Sequence, residues 1–196
     1  MKCLSCGERS THRLNNNICK KCSLDGMEFL TNEWIKHPSK ELMKLAIELA
    51  EAAGRGSDYP IGALMYNTKT GMVITGLNEV KHTGDSTRHA EIEVIRKTTT
   101  VTGQRYLEEW VLYTTHEPCP MCTAAAVWAK VGMIVFALGI DDMRKFTDES
   151  NYYKWRVIEM SAIEVIDKSP HKMPIATHFM NKKAQHLLKF KYEKQK

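Results

Sequence analysis

The pattern that most constrains this chain is His89-Ala90-Glu91 together with the distant Pro118-Cys119-Pro120-Met121-Cys122. One imidazole and two thiolates make a three-ligand zinc set, with the fourth tetrahedral position left open for water. Glu91 stands two residues beyond the histidine, near enough to move the protons of that water without binding the metal. Whatever fold the chain adopts has to carry both segments to one point. A purely structural zinc is the plain alternative, but it would need a fourth ligand, and the remaining cysteines have another use.

The six cysteines fall as three C-x-x-C pairs, Cys3/Cys6, Cys19/Cys22 and Cys119/Cys122. Tetrahedral zinc accounts for that regular pairing, whereas a disulfide framework has no reason to choose it. Cys3, Cys6, Cys19 and Cys22 are therefore assigned to one closed, structural zinc in a ribbon over residues 1–25. The plain alternative is a set of unrelated surface thiols. Two zinc ions per chain follow, the second held by His89, Cys119 and Cys122. His12, between the ribbon pairs, reads as a surface residue. Residues 39–196 form the second, larger domain.

The chain has 196 residues, 43% of them hydrophobic and 26% charged, which suits one globular domain with a small appendage. No apolar run approaches the ~20 residues that span a bilayer, and the start Met1-Lys2-Cys3 has no apolar signal-peptide core. A cytoplasmic protein without membrane association is expected. The net charge is +5, and Lys182, Lys183, Lys189, Lys191, Lys194 and Lys196 against Glu193 supply all of it. Such a tail can contact phosphates, or it can be a solvated helix end. Charge alone does not separate these readings.

Ser39-Lys40-Glu41-Leu42 reads as a helix cap, with Leu42, Leu45, Ala46, Leu49 and Ala53 at helical spacing up to Gly54. Residues 61–67 and 72–78 read as two strands joined by a hairpin. Residues 79–88 read as loop, with a helix from about Arg88. A buried strand over 111–115, a helix entered through Pro118 and running to Lys130, and a strand over 133–138 follow. The remainder reads as a polar, aromatic helix over about 147–160, a strand over 163–166 and a last helix near 176–190. This alternation predicts an α/β fold in three layers, a mixed five-stranded sheet covered by helices on both faces.

His89 and the Cys119/Cys122 pair then sit at two helix N-termini, where partial positive charge favours thiolate. Zinc held there lowers the pKa of a bound water from 15.7 to about 7. Glu91 can take that water's proton and return it to a ring nitrogen and a departing amine. His116 reads as a neighbour of the site or a surface residue, Met121 as packing and His82 as a solvated loop residue.

These residues resemble the cytidine-deaminase-like superfamily, in particular its purine branch of guanine deaminases and tRNA adenosine deaminases. The marks are Glu117-Pro118-Cys119-Pro120-Met121-Cys122, Pro60-Ile61-Gly62-Ala63 and the Asn of Gly76-Leu77-Asn78. They cover about residues 40–145. The resemblance implies a deaminase-type fold, a hydrolase acting on a cyclic amidine C–N bond, Glu91 as its catalytic residue, and a homodimer. It also implies that Asn78 hydrogen-bonds the purine edge. Phe136-Ala137-Leu138-Gly139-Ile140-Asp141-Asp142 and the acidic, aromatic stretch 146–154 are similar to guanine deaminases. That similarity implies Asp142 as an acceptor for the guanine amine and N–H, with helix capping as the plain alternative. The ribbon and His116 depart from the family pattern.

The expected reaction is guanine plus water to xanthine plus ammonia, with a small heterocycle as the partner. The alternative is a tRNA adenosine deaminase forming inosine, with the ribbon and Lys-rich C-terminus as its nucleic-acid contacts. A third reading is a nucleic-acid-binding ribbon protein around an idle deaminase domain. The intact Glu91 stands against that one.

Overall fold

The computed structural model describes residues 27–29, 38–149 and 158–190. The ribbon cysteines, His12, the end of the basic tail and much of the stretch read as a helix over 147–160 lie outside the described residues.

Helix α1 (Lys40–Arg55) opens where expected, with the Ser39 hydroxyl accepting from the Leu42 amide at 3.3 Å. Ser39 N–H in turn donates to the Tyr113 hydroxyl at 2.7 Å, fixing the start of the domain to its central strand. The sheet is built from β1 (Met27–Phe29), β2 (Gly62–Asn67), β3 (Met72–Leu77), β4 (Trp110–His116), β5 (Met133–Leu138) and β6 (Ile175–Ala176). Their spatial order is β1-β3-β2-β4-β5-β6. The pairs among β1, β3, β2 and β4 are antiparallel, and β4–β5 and β5–β6 are parallel. The mixed five-stranded sheet is thus β2 to β6, with the three-residue β1 added at one edge.

Strand alternation sends successive side chains to opposite faces. Leu64, Tyr66, Val73, Val111, Tyr113 and Val135 pack under Leu42, Met43, Ala46, Ile47 and Ala50 of α1. Ala63, Met65, Ile74, Leu112, Ile134 and Phe136 face the other way. They meet helices α3 (Ala90–Thr102) and α4 (Pro120–Trp128), which follow the one-turn helix α2 (Val80–Thr83). This is the three-layer arrangement expected of a deaminase-type α/β fold. Two glycines set the layer spacing. A Cβ on Gly62 would lie 2.4 Å from Ala50 N, and one on Gly76 would lie 2.7 Å from Ala90 O. Both helices approach the sheet closer than any side chain allows.

Past β5 the structure corrects the sequence reading. Helix α5 runs over Ile140–Glu149, starting earlier than the helix expected over 147–160. Residues read as a strand over 163–166 lie in helix α6 (Ala162–Asp167), opened by a capping box between Ser161 and Glu164. This helix packs on α4 rather than extending the sheet. The fifth strand is instead β6, and the helix expected near 176–190 is reduced to α7 (Asn181–Ala184) and a 3-10 turn over Gln185–Lys189. His178 and Met180 have positive φ, which a continuous helix forbids. Among the described residues no helix is long and apolar enough to cross a membrane.

Candidate active site

The sheet and its two close-packed helices deliver the metal-ligand set to one point. His89 is the N-cap of α3 and Cys119 the N-cap of α4, both with extended backbone, and neither side chain makes a capping hydrogen bond. They turn instead toward Cys122, one turn into α4. His89 Nδ1 lies 3.7 Å from Cys119 Sγ and 3.5 Å from Cys122 Sγ, and the two sulfurs are 3.6 Å apart. A tetrahedral zinc with Zn–S of about 2.3 Å and Zn–N of about 2.0–2.1 Å sets those separations at about 3.6 Å and about 3.8 Å. The donor set therefore fits zinc without rearrangement. Among the described residues this is the one group of three or more His, Cys, Asp or Glu side chains close enough to hold an ion.

Electrostatics prepare the sulfurs unequally. The Cys122 thiol, with help from His89, holds Cys119 down at about 4 against its partial burial. The same contact and full burial push Cys122 well up. A cation at the centre lets both sulfurs ionise. Two helix N-termini point at the same spot and favour that charge.

Glu91 is 3% exposed, and burial raises its carboxyl above the ordinary range. Its Oε1 accepts from the Thr114 hydroxyl at 3.2 Å, and Oε2 stands 3.7 Å from Cys122 Sγ. Proximity to the ligands, an elevated pKa and a fixed orientation suit a group that takes and returns a proton. Above it opens a cleft of about 150 Å³ whose apolar walls include Ile61, Pro118, Ile140, Met143 and Met160. It lies outside the carboxyl ends of β4 and β5, the place where open α/β sheets bind ligands.

Several supports had no part in the sequence reading. Arg88, just before the histidine ligand, makes a two-pronged pair with Glu93 (3.0 and 2.8 Å) and reaches Glu79 at 2.5 Å. Glu117 lines the cleft and accepts from Ile140 N and Ala162 N, both at 2.9 Å. One carboxylate thereby pins the first residues of α5 and α6 beside the ligands. The signal for Glu117 was its place in the Glu-Pro-Cys run, but its partners are remote in sequence. His116 is not on the surface. It is 2% exposed, its Nδ1 lies 3.0 Å from the Thr115 hydroxyl, and burial depresses it to about 3. His82 is exposed, as expected.

Asn78 is buried directly after β3 and does not itself line the cleft; its backbone N–H donates to the carbonyl of Ile61, which does, at 3.2 Å. Its side-chain amide donates to Asp58 at 2.7 Å. Asp142 does not line the cleft. Its Oδ2 accepts from Gly139 N at 2.9 Å and from the Asn181 amide at 2.7 Å, so the carboxylate caps α5 and ties α7 to it. That is the plain alternative foreseen for this residue. Its neighbours Ile140 and Met143 in α5 line the cleft.

Residues 36–138 match the family described as cytidine and deoxycytidylate deaminase zinc-binding region. The chain is 38% identical over 115 residues to the guanine deaminase of Bacillus subtilis, covering 57% of this chain and 72% of that protein. It is 37% identical over 94 residues to the tRNA-specific adenosine deaminase of Agrobacterium fabrum, covering 48% of this chain and 61% of that one. A tRNA(Ile)-lysidine synthase of Deinococcus radiodurans is 37% identical over 99 residues, 50% of this chain, of which the chain spans only 17%. Among solved structures, a guanine deaminase from Nitrosomonas europaea is similar in fold, with a TM-score of 0.68 at 21% identity over 85% of this chain and 88% of that one.

Proposed function

The chain belongs to the cytidine and deoxycytidylate deaminase zinc-binding family. From that premise we propose that it hydrolytically removes the amino group of a purine-like heterocycle, with guanine, giving xanthine and ammonia, as the first choice. The observation that carries the reading is the buried Glu91 carboxylate beside a three-ligand set at the floor of an apolar cleft. His89, Cys119 and Cys122 would hold zinc, which when bound supplies an electrophile that makes water nucleophilic near neutral pH. Glu91 takes the proton of the attacking water, delivers it to the ring nitrogen, and passes a second proton to the departing amine. Thr114 holds the Glu91 carboxylate in one orientation during both transfers. The flat ring lies between the apolar walls with its edge toward Asn78. Asp142 keeps the wall in place through Gly139 and Asn181.

Guanine is preferred because the similarity to the Bacillus guanine deaminase spans most of that protein. The second reading, adenosine in tRNA, is favoured by the likeness to a tRNA-specific adenosine deaminase and by the Lys-rich C-terminus. On either reading the chain works as a homodimer in the reducing cytoplasm and carries a second, structural zinc on Cys3, Cys6, Cys19 and Cys22. In the tRNA reading the ribbon and basic tail touch RNA. The test is ammonia release from guanine, guanosine, cytosine, adenosine and a tRNA anticodon stem-loop. Release from guanine alone supports the first choice, and release from the stem-loop alone replaces it with the second.

A further inference from the structure

Glu117 is fixed at the end of β4 by its own backbone. Its N–H donates to Leu138 O at 2.7 Å and so extends the parallel ladder in which His116 already faces Leu138. Cys119, the first sulfur ligand, comes two residues later. The Glu117 side chain lines the cleft, and each of its oxygens takes one backbone N–H. Oε2 accepts from Ile140 N, the first residue of α5, and Oε1 from Ala162 N, the first residue of α6, each at 2.9 Å. An N–H at the first position of a helix has no partner within that helix, so the carboxylate meets a need of both.

Those two amides belong to the cleft walls that lie past the sheet strand β5. Ile140 and Met143 of α5 form one, and Ile158 and Met160, just ahead of α6, form the other. Ile158 is 63% exposed and Met160 37%, so the second wall has little packing of its own to hold it at the site. Helix α6 rests on α4, and α5 is capped by Asp142 through Gly139 N. Glu117 joins both helix starts to the turn that carries the first sulfur ligand.

We propose that Glu117 is a positioning residue that sets the width of the cleft. One carboxylate holds both walls at a fixed distance from the ligand set, and the site thereby selects substrates by ring size. A flat ring binds well between walls already in place, and binds less well when the walls must be ordered as it enters. The selection rests on the reading of the cleft as a heterocycle site; the hold on the walls does not.

The test is a double-mutant cycle on the full zinc-loaded chain. Glu117→Gln, Ala162→Pro and the double variant are compared with the parent for amide hydrogen exchange, kcat, KM, zinc content and Tm. Glutamine keeps one acceptor oxygen and turns its NH2 toward the other N–H, so one wall loses its hold. Ala162→Pro deletes one donor from the wall side. Proline suits the first position of a helix, and Ser161 already has the extended backbone that precedes it. Ala162→Val adds similar bulk but keeps the N–H, so it measures the share that is packing. Glu117→Gln should speed exchange by about threefold or more in residues 139–146 or 158–166 and leave β4 and β5 unchanged. KM for the preferred heterocycle of the panel should rise roughly tenfold with kcat within about threefold, zinc content should hold, and the preference for that ring over larger or smaller ones should narrow. In the Ala162→Pro background the same change should cost less than about twofold, because the glutamine oxygen can face Ile140 N and no second N–H remains. Unchanged exchange in both segments, equal losses in both backgrounds, or a loss confined to kcat overturns the proposal. A parent that releases ammonia from no member of the panel removes the deaminase reading and the ring-size selection with it, and exchange then decides the hold on the walls. Should Glu117→Gln not fold, Ala162→Pro must by itself raise KM and the exchange of residues 158–166 above those of Ala162→Val, or the proposal falls.

Discussion

At the scale of single residues, burial decides what each group near the ligands can do. Glu91 is buried with one oxygen on Thr114 and the other toward Cys122, so its carboxyl can hold a proton between transfers. Glu91→Gln keeps the shape and removes the proton. It should lower turnover by roughly 10²–10⁴ while zinc content, read by elemental analysis, stays at the parent level. Near-parent turnover in that variant would remove Glu91 from the chemistry. His116 shows the opposite use of burial. Its folded-state pKa is pushed down to about 3, against about 6.5 in an unfolded chain. Above the unfolded value neither state binds the proton, and His116 contributes nothing to pH dependence. As pH falls from about 6.5 toward 3, the unfolded chain takes up a proton that the folded chain refuses, so stability declines with acid. At pH 5 that amounts to about 2 kcal/mol. His116→Gln removes the titrating group and should lose less Tm between about pH 7.5 and about pH 5 than the parent. Zinc release at low pH affects both proteins, so the difference between them isolates the histidine. Equal losses would mean that His116 charges inside the fold.

At the scale of elements, the site depends on how closely two helices approach the sheet. Gly76 lets the first turn of α3 rest on β3, and that turn follows the His89 ligand and carries Glu91. Gly76→Ala would place a Cβ 2.7 Å from Ala90 O and 2.9 Å from Val94 Cβ, with no flexible side-chain end to yield. The expected outcome is a loss of about 1–3 kcal/mol in urea unfolding, with weaker zinc retention against a chelator because α3 is pushed off its seat. Unchanged zinc retention would separate helix seating from ligand geometry. The three ligands, Glu91, α1 and the strands β2 to β5 were legible in the sequence because each is coded locally, by a spacing, a cap or an apolar run. Thr114, Arg88, Asp58 and Glu117 were not, because their roles come from partners that only the fold brings near. The stretch after β5 failed for a different reason. Residues 163–166 carry the β-branched Ile163, Val165 and Ile166 that suit a strand, yet Ser161 and Glu164 form a capping box, and that local signal outweighed the composition. Near 176–190 the apolar spacing suited a helix, but the chain turns at His178 and Met180 to reach β5 and α1.

At the scale of the whole molecule, the positive charge separates the two substrate readings. The six lysines between residues 182 and 196, set against Glu193, account for the chain's net +5. A small base bound in an apolar cleft exchanges few ions on binding, so its KM should change little with salt. A tRNA gripped by the tail and the ribbon would displace condensed counterions. Its apparent affinity should then fall with a log–log slope of about −0.7 for each single-stranded phosphate contact. Three lysines of the tail engaging phosphate would give a slope of about −2. We expect the shallow dependence: KM for guanine should vary less than about twofold between roughly 50 and 200 mM salt, and deletion of residues 189–196 should leave it unchanged. The measurement is initial-rate ammonia release across that salt range for both the full chain and the truncated one. Because this deletion also removes Phe190, which packs beside the α1 core, Tm is recorded alongside, and charge is tested separately by changing Lys191, Lys194 and Lys196 to Gln. A steep salt slope on the stem-loop, abolished by those three substitutions and accompanied by no turnover of guanine, would transfer the assignment to an RNA substrate.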